Sequence, residues 1–150
     1  MKRWSDKLAL ILTTLWVGAL WSIGFIAVQV LFNVLQHDKQ MAGMLAGHMF
    51  TVVSYVGIVC AAYLIVYRLL QAGFSAFKQG FFWALLIMLL LTLAGEFGIQ
   101  PILASLKAQA LPADVMQSVF ANRFRAWHGV ASVAYLIECL LGLVLIFKLR

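Results

Sequence analysis

Two histidines and two glutamates stand where an apolar chain could do chemistry. His48 lies in "MLAGHMF" (44–50) and His128 in "FRAWHGV" (124–130), each at the mouth of a long apolar stretch. Two imidazoles at a similar level on separate helices are the arrangement that ligates a b-type haem, whose axial ligands then set its potential. Met41, Met44 and His48 share one helical face, with Met116 as a further thioether. Soft thioethers with imidazole suit Cu(I) better than hard cations. The same residues also have a purely structural reading, as solvated histidines near an interface and methionine as core filler. Haem b, copper and no cofactor all stay open on the sequence, with no cofactor the first expectation.

Glu96 and Glu138 sit inside apolar segments. An ionisable group in the bilayer is costly and is a functional candidate by default. Glu96 is either a protonated acid, or a partner of Arg125 or a histidine that holds helices together, or a proton-relay or ligand group. Glu138 lies near the midplane with no cationic partner at its depth. Gln29, Asn33, Gln100, Arg125 and Tyr135 complete the candidate polar pocket. No HExxH, GxSxG or phosphate-binding glycine loop occurs, so protease and kinase chemistry have no support and no catalytic residue is assigned. Cys60 and Cys139 form no CxxC or CxxCH motif, and their pairing is not expected.

The elements that must position these groups follow from composition. The chain of 150 residues is 65% hydrophobic and 11% charged, with mean hydropathy +1.00. Soluble domains are about 45–50% apolar with about 25% charged residues. This composition is that of an integral membrane protein, with the lipid bilayer as its first partner. The net charge of +6 is not gathered into a basic run interleaved with aromatics, so no nucleic-acid partner is expected. The first apolar segment follows Lys2, Arg3 and Lys7 as a signal peptide would, but it runs from Leu8 to Leu35. That exceeds an h-region of about 7–15 residues and lacks an A-x-A site, so it reads as a retained anchor.

A spanning helix needs about 20 apolar residues. Stretches 8–35, 43–70, 81–103 and 115–147 qualify, separated by "QHDKQ" (36–40), "QAGFSAFKQG" (71–80) and "SLKAQALPAD" (105–114). The expected fold is an all-α membrane protein, a single domain over 1–150 with four transmembrane helices in an antiparallel bundle. The beginning of the last stretch, "VMQSVFANRFRAW", is expected to be an amphipathic extension at the interface. Lys2, Arg3, Lys7, Arg68, Lys78, Lys148 and Arg150 fall on one side, and Lys39, Lys107, Arg123 and Arg125 on the other. The positive-inside rule then puts both termini in the cytoplasm of a multi-pass protein of the bacterial inner membrane.

At 100° per residue each helix carries a polar stripe. The first has Gly18, Ser22, Gln29, Asn33 and Gln36; the second Met41, Met44, His48, Thr51 and Tyr55. Thr92, Glu96 and Gln100 align on the third, and Arg125, His128, Ser132, Tyr135 and Cys139 on the fourth. Lipid cannot satisfy such stripes, so they are expected to turn inward and form a pocket that opens to the outer side. Gly43 and Gly47 suggest a close helix contact, more readily within one bundle than between protomers. Pro101 frees the Phe97 carbonyl and should end or kink the third helix. Trp4, Trp16, Trp21, Trp83 and Trp127 mostly suit interfacial belts.

"LWVGALWSIGFIAVQVLFNVL", "AGMLAGHMF", "QPILASL" and "FRAWHGVASVAYLIECLLGLVLI" resemble the bacterial relatives of transmembrane protein 205, the domain of unknown function 4149. The marks are an apolar WVG opening, a glycine-rich start to the second span, a proline ending the third, and F-x-x-x-H (Phe124 to His128) opening the fourth. "LWVGAL" also resembles copper-resistance D-type membrane domains. The resemblance implies a four-span inner-membrane protein and supplies no catalytic residues. Some relatives with this pattern carry asparagine near the third-span proline, where Glu96 and Gln100 stand here.

Three functions compete on this basis. One is a small binding protein whose outward polar pocket holds a metal or haem. Another is a transporter or permeation subunit with Glu96 and Glu138 as protonatable steps, which four spans could serve only as a homo-oligomer. The third is a structural subunit bound to a membrane protein partner. A redox enzyme is less supported, because one candidate haem pair makes no transmembrane chain.

Overall fold

The computed structural model describes residues 2–149, with side chains from residue 4 to residue 148. Arg150, and the side chains of Lys2 and Arg3, counted above for orientation, lie outside the described residues. Helix α1 (Lys2–Ser22) passes through a π-helical segment, Ile23–Ala27, into α2 (Val28–Val34). Helix α3 (Lys39–Ala72) and a 3-10 turn (Gly73–Lys78) follow. Helix α4 (Gly80–Leu93) passes through a second π-helical segment, Ala94–Ile99, into α5 (Gln100–Ala110). A short turn at Val115–Gln117 leads to α6 (Ala121–Leu149). Four helical rods, Trp4–Val34, Lys39–Lys78, Gly80–Ala110 and Ala121–Lys148, are long and apolar enough to cross a bilayer. No strand occurs among the described residues. The chain is a multi-pass membrane protein.

Local chemistry sets the helix ends. The Asp38 carboxylate accepts the Met41 N–H at 2.9 Å and caps α3. Gly73, with φ +53°, closes α3 in a conformation that a side chain would strain. Pro101 enters α5 in its first turn, directly after the π-helical segment that takes up its missing N–H. The third rod therefore runs on to Ala110 instead of ending at the proline. The expected amphipathic extension at 115–127 is not one helix: Val115–Gln117 is a 3-10 turn and α6 starts only at Ala121.

Helix α1 packs on α3 and α6, and α4 packs on α3 and α6, so each rod has two neighbours. The main core holds Trp16, Leu64, Leu85, Met88, Cys139 and Leu145. It lies toward the end that carries Asp6, Gln71, Gly80 and Lys148. Small residues let the rods approach: a Cβ at Gly57 would lie 2.6 Å from the Trp16 indole nitrogen, and one at Gly142 would lie 2.8 Å from Val17. Beyond the π segments the packing turns pairwise, α2 on α3 and α5 on α6, with a small separate cluster of Leu106, Ala110 and Val115.

The expectation that every polar stripe faces inward is corrected. Gly18, Ser22, Gln29, Asn33 and Gln36 are exposed, as are Met41, Met44, His48 and Tyr55, and also Arg125, His128 and Ser132. Thr92 and Cys139 are buried, while Thr51, Glu96, Gln100 and Tyr135 are half-buried. The reason is that small and apolar residues claim the interior. Ala42, Ala46, Val53, Gly57, Cys60, Ala61 and Leu64 form the buried face of α3, opposite its Met–His stripe. Close packing in a membrane favours such residues at helix contacts. The π segments also break the 100° phase in the first and third rods. Trp16, expected in an interfacial belt, is 1% exposed and fills the core.

Candidate polar site at the helix bulges

Of the three buried polar residues among the described ones, Thr13 bonds Ala9 O within α1, and the other two meet where α4 and α6 cross the level of the π segments. Thr92 Oγ1 lies 2.9 Å from the Met88 carbonyl and 2.7 Å from Glu138 Oε1, and both Thr92 and Glu138 are buried. A threonine hydroxyl has one hydrogen. If that hydrogen goes to Met88 O, the second contact is made when Glu138 is a carboxylic acid donating to Thr92. The neutral form is also the one that apolar surroundings tolerate. Cys139, beside it on α6, is a buried free thiol, as is Cys60 on α3.

Glu96 lies one turn beyond Thr92, inside the π segment Ala94–Ile99. Its Oε2 is buried and has no hydrogen-bond partner among the described residues. The bulge has a visible cause in Pro101, which lacks the N–H that Phe97 O would accept in an α-helix. An i→i+5 turn just upstream absorbs that loss without breaking the rod.

The bulge in the first rod has a different cause. The Tyr135 hydroxyl, from α6, donates to Leu20 O at 2.6 Å. In a regular α-helix Gly24 N–H and Leu20 O would bond to each other. The tyrosine ring lies against this turn, and a Cβ on Gly24 would collide with it. Phe50 meets that ring edge-on at 5.1 Å, and Trp21 Nε1 donates to Cys139 O at 3.2 Å. Tyr135 and Glu138 are three residues apart on α6. The two bulges therefore lie within about one turn of the same depth, at ~1.5 Å per residue.

The histidines lie elsewhere. His48 and His128 are both exposed, and no hydrogen bond or ring contact joins them among the described residues. The His128 ring stacks on Phe124 at 5.7 Å, and the Lys107 ammonium sits 5.7 Å from that Phe124 ring while donating to Gly43 O at 3.1 Å. That bond, from a side chain on α5, is the contact that Gly43 makes. Among the described residues no group of three or more His, Cys, Asp or Glu is placed to hold a metal ion. Gln29, Asn33 and Arg125 are exposed, whereas the Thr92–Glu138 pair is buried. A polar surface cavity of about 320 Å³ joins the two loops at this end of the rods, lined by residues that include His37, Asp38, Lys39 and Asp114. At the opposite end the Tyr67 hydroxyl donates to Asp6, and Gln71 Nε2 donates to the same carboxylate at 2.9 Å.

Sequence reasoning found Glu96, Glu138 and Tyr135 but not the tie between Glu138 and Thr92, nor Lys107 and Gly24. Gly24 left a faint trace as the one residue without a side chain in the bulky run "SIGFIAV" (22–28).

Residues 11–112 match the family described as Domain of unknown function (DUF4149). The chain belongs to that family. The match takes in α2 to α5, most of α1, and Thr92 and Glu96; α6, with Tyr135 and Glu138, follows it. Searches of curated proteins and of solved structures found no match. The DUF4149 assignment fits a small membrane protein and carries no activity with it.

Proposed function

We propose that this protein is a proton-handling subunit of a transport or permeation system in the bacterial inner membrane, with Glu138 and Glu96 as its ionisable steps. The observation that carries the reading is the buried Thr92–Glu138 hydrogen bond with a second carboxyl one turn away. Ionisable groups within a membrane mark proton and substrate pathways, and π bulges recur at functional sites. In this reading the rods are antiparallel, with both termini in the cytoplasm, which the distribution of lysine and arginine supports. Four rods enclose a pathway only by self-association or with another membrane protein. The test is proton flux into liposomes carrying the purified protein and a trapped pH dye, under a potassium diffusion potential. Wild type should conduct, and Glu138→Gln and Glu96→Gln should each cut the flux by about 100-fold or more, the lower range for loss of a proton-transfer group. Undiminished flux in both variants, or none in wild type, would overturn the reading.

A second reading rests on the exposed stripe of Met41, Met44 and His48 along the first turns of α3. These donors suit Cu(I), and the likeness of "LWVGAL" to copper-resistance D-type domains points the same way. Haem between His48 and His128 is its variant. Elemental analysis of protein purified without a metal-binding tag decides between them. Near-stoichiometric copper, lost on His48→Ala, supports the thioether face. Iron lost on either His48→Ala or His128→Ala supports haem. Absence of both metals removes the reading.

A further inference from the structure

We infer that the Tyr135 hydroxyl is a latch that holds the first rod in its bulged register, and that α2 turns as a unit when the latch withdraws. The inference is independent of the proton reading. A π turn holds one residue more than the α turn it replaces. Where a bulge closes into regular α-helix, everything beyond it shifts by about one position, a rotation of about 100° with about 1.5 Å of rise.

Three features make this bulge releasable. Its cause is a side chain from another rod: the Tyr135 hydroxyl donates to Leu20 O at the turn that enters the bulge, a contact that can be removed without touching the first rod's own sequence. The contact depends on Gly24, whose Cβ would occupy the space of the tyrosine ring. Finally, no residue of Ile23–Ala27 or of α2 is fully buried, so turning α2 gives up only its half-buried packing on α3.

The bulge at Ala94–Ile99 is built differently. Pro101 fixes it from within the chain, and beyond it α5 is anchored by the buried Leu103, Leu106 and Ala110. One bulge is therefore fixed and the other held. Rotation of α2 would carry Gln29 and Asn33, now exposed, about 100° around the rod. Their amides would leave the face they now present for the one next to it.

The experiment is a spin-label scan. Single cysteines at positions 28–34 are labelled in a background with Cys60→Ala and Cys139→Ala, in lipid bilayers, and oxygen accessibility is read along the segment. In Tyr135→Phe, which keeps the ring but loses the hydroxyl, the accessibility maximum should move by one residue relative to Tyr135. Gly24→Ala should produce the same move by displacing the ring. Deleting Gly24 in the Tyr135→Phe protein removes the extra residue, and should return each remaining label to its original accessibility. Unmoved profiles in both single variants would overturn the latch. So would a profile that the deletion fails to restore in a protein that elutes as one species.

Discussion

Gly57 shows how tightly single residues are specified where the rods touch. The Trp16 indole occupies the space a Cβ would need, both residues are buried, and neither α1 nor α3 can yield without moving the core. Gly57→Ala should lower the apparent melting temperature in detergent, at a cost of about 1–3 kcal/mol, the range for overpacking. Gly18 and Gly47 have open space at the Cβ position, so alanine at either should leave melting unchanged. Composition does not distinguish these glycines. The same holds for the polar residues: Glu138 is conspicuous in the sequence, but its partner Thr92 is an ordinary hydroxyl that becomes special only once α4 lies against α6. His48 and His128 are equally conspicuous, yet exposure and the absence of a mutual contact set them apart from the buried pair.

Among elements, α5 joins a buried apolar face to one polar tie. Lys107 reaches from α5 to Gly43 O on α3, across the region where the rods pack only in pairs. Lys107→Met keeps the stem and loses the bond. It should cost about 1 kcal/mol, below the range of about 1.5–3 kcal/mol for a charged donor because the ammonium is only part-buried. Denaturant titration in mixed micelles would measure it, and disulfide trapping between α3 and α5 should slow or lose specificity in parallel. The four apolar rods were legible because hydrophobic length is a direct consequence of the bilayer's thickness. Their faces were not. A stripe at 100° per residue assumes an unbroken α-helix, while two of the four rods contain π turns. One bulge follows from Pro101, which the sequence displays. The other follows from Tyr135, more than a hundred residues from the helix it opens.

Across the whole molecule, packing is unequal. The half containing Trp16, Leu64, Leu85 and Leu145 has one continuous core, while the other half has only the small cluster around Leu106. Amide hydrogen exchange in bilayer mimetics should follow that division. Residues 53–64 and 81–92 should be the slowest, with α2 and the start of α6 at least about tenfold faster, because local opening scales with buried apolar contact. Faster exchange in the Trp16 half would contradict the packing. The order in which this chain is made adds a consequence of the fourth rod's hydrogen bonds. Glu138 supplies the second contact of Thr92, Tyr135 occupies Leu20 O, and Cys139 O takes the Trp21 indole. All three come from α6, which follows the other rods in the chain. A ribosome that has released only the first three leaves the Trp21 indole N–H without its acceptor and turned toward lipid, while Thr92 keeps only Met88 O and Leu20 O falls back on its own helix. Such an intermediate is polar where it ought to be closed, and that is the state in which membrane quality control would find it.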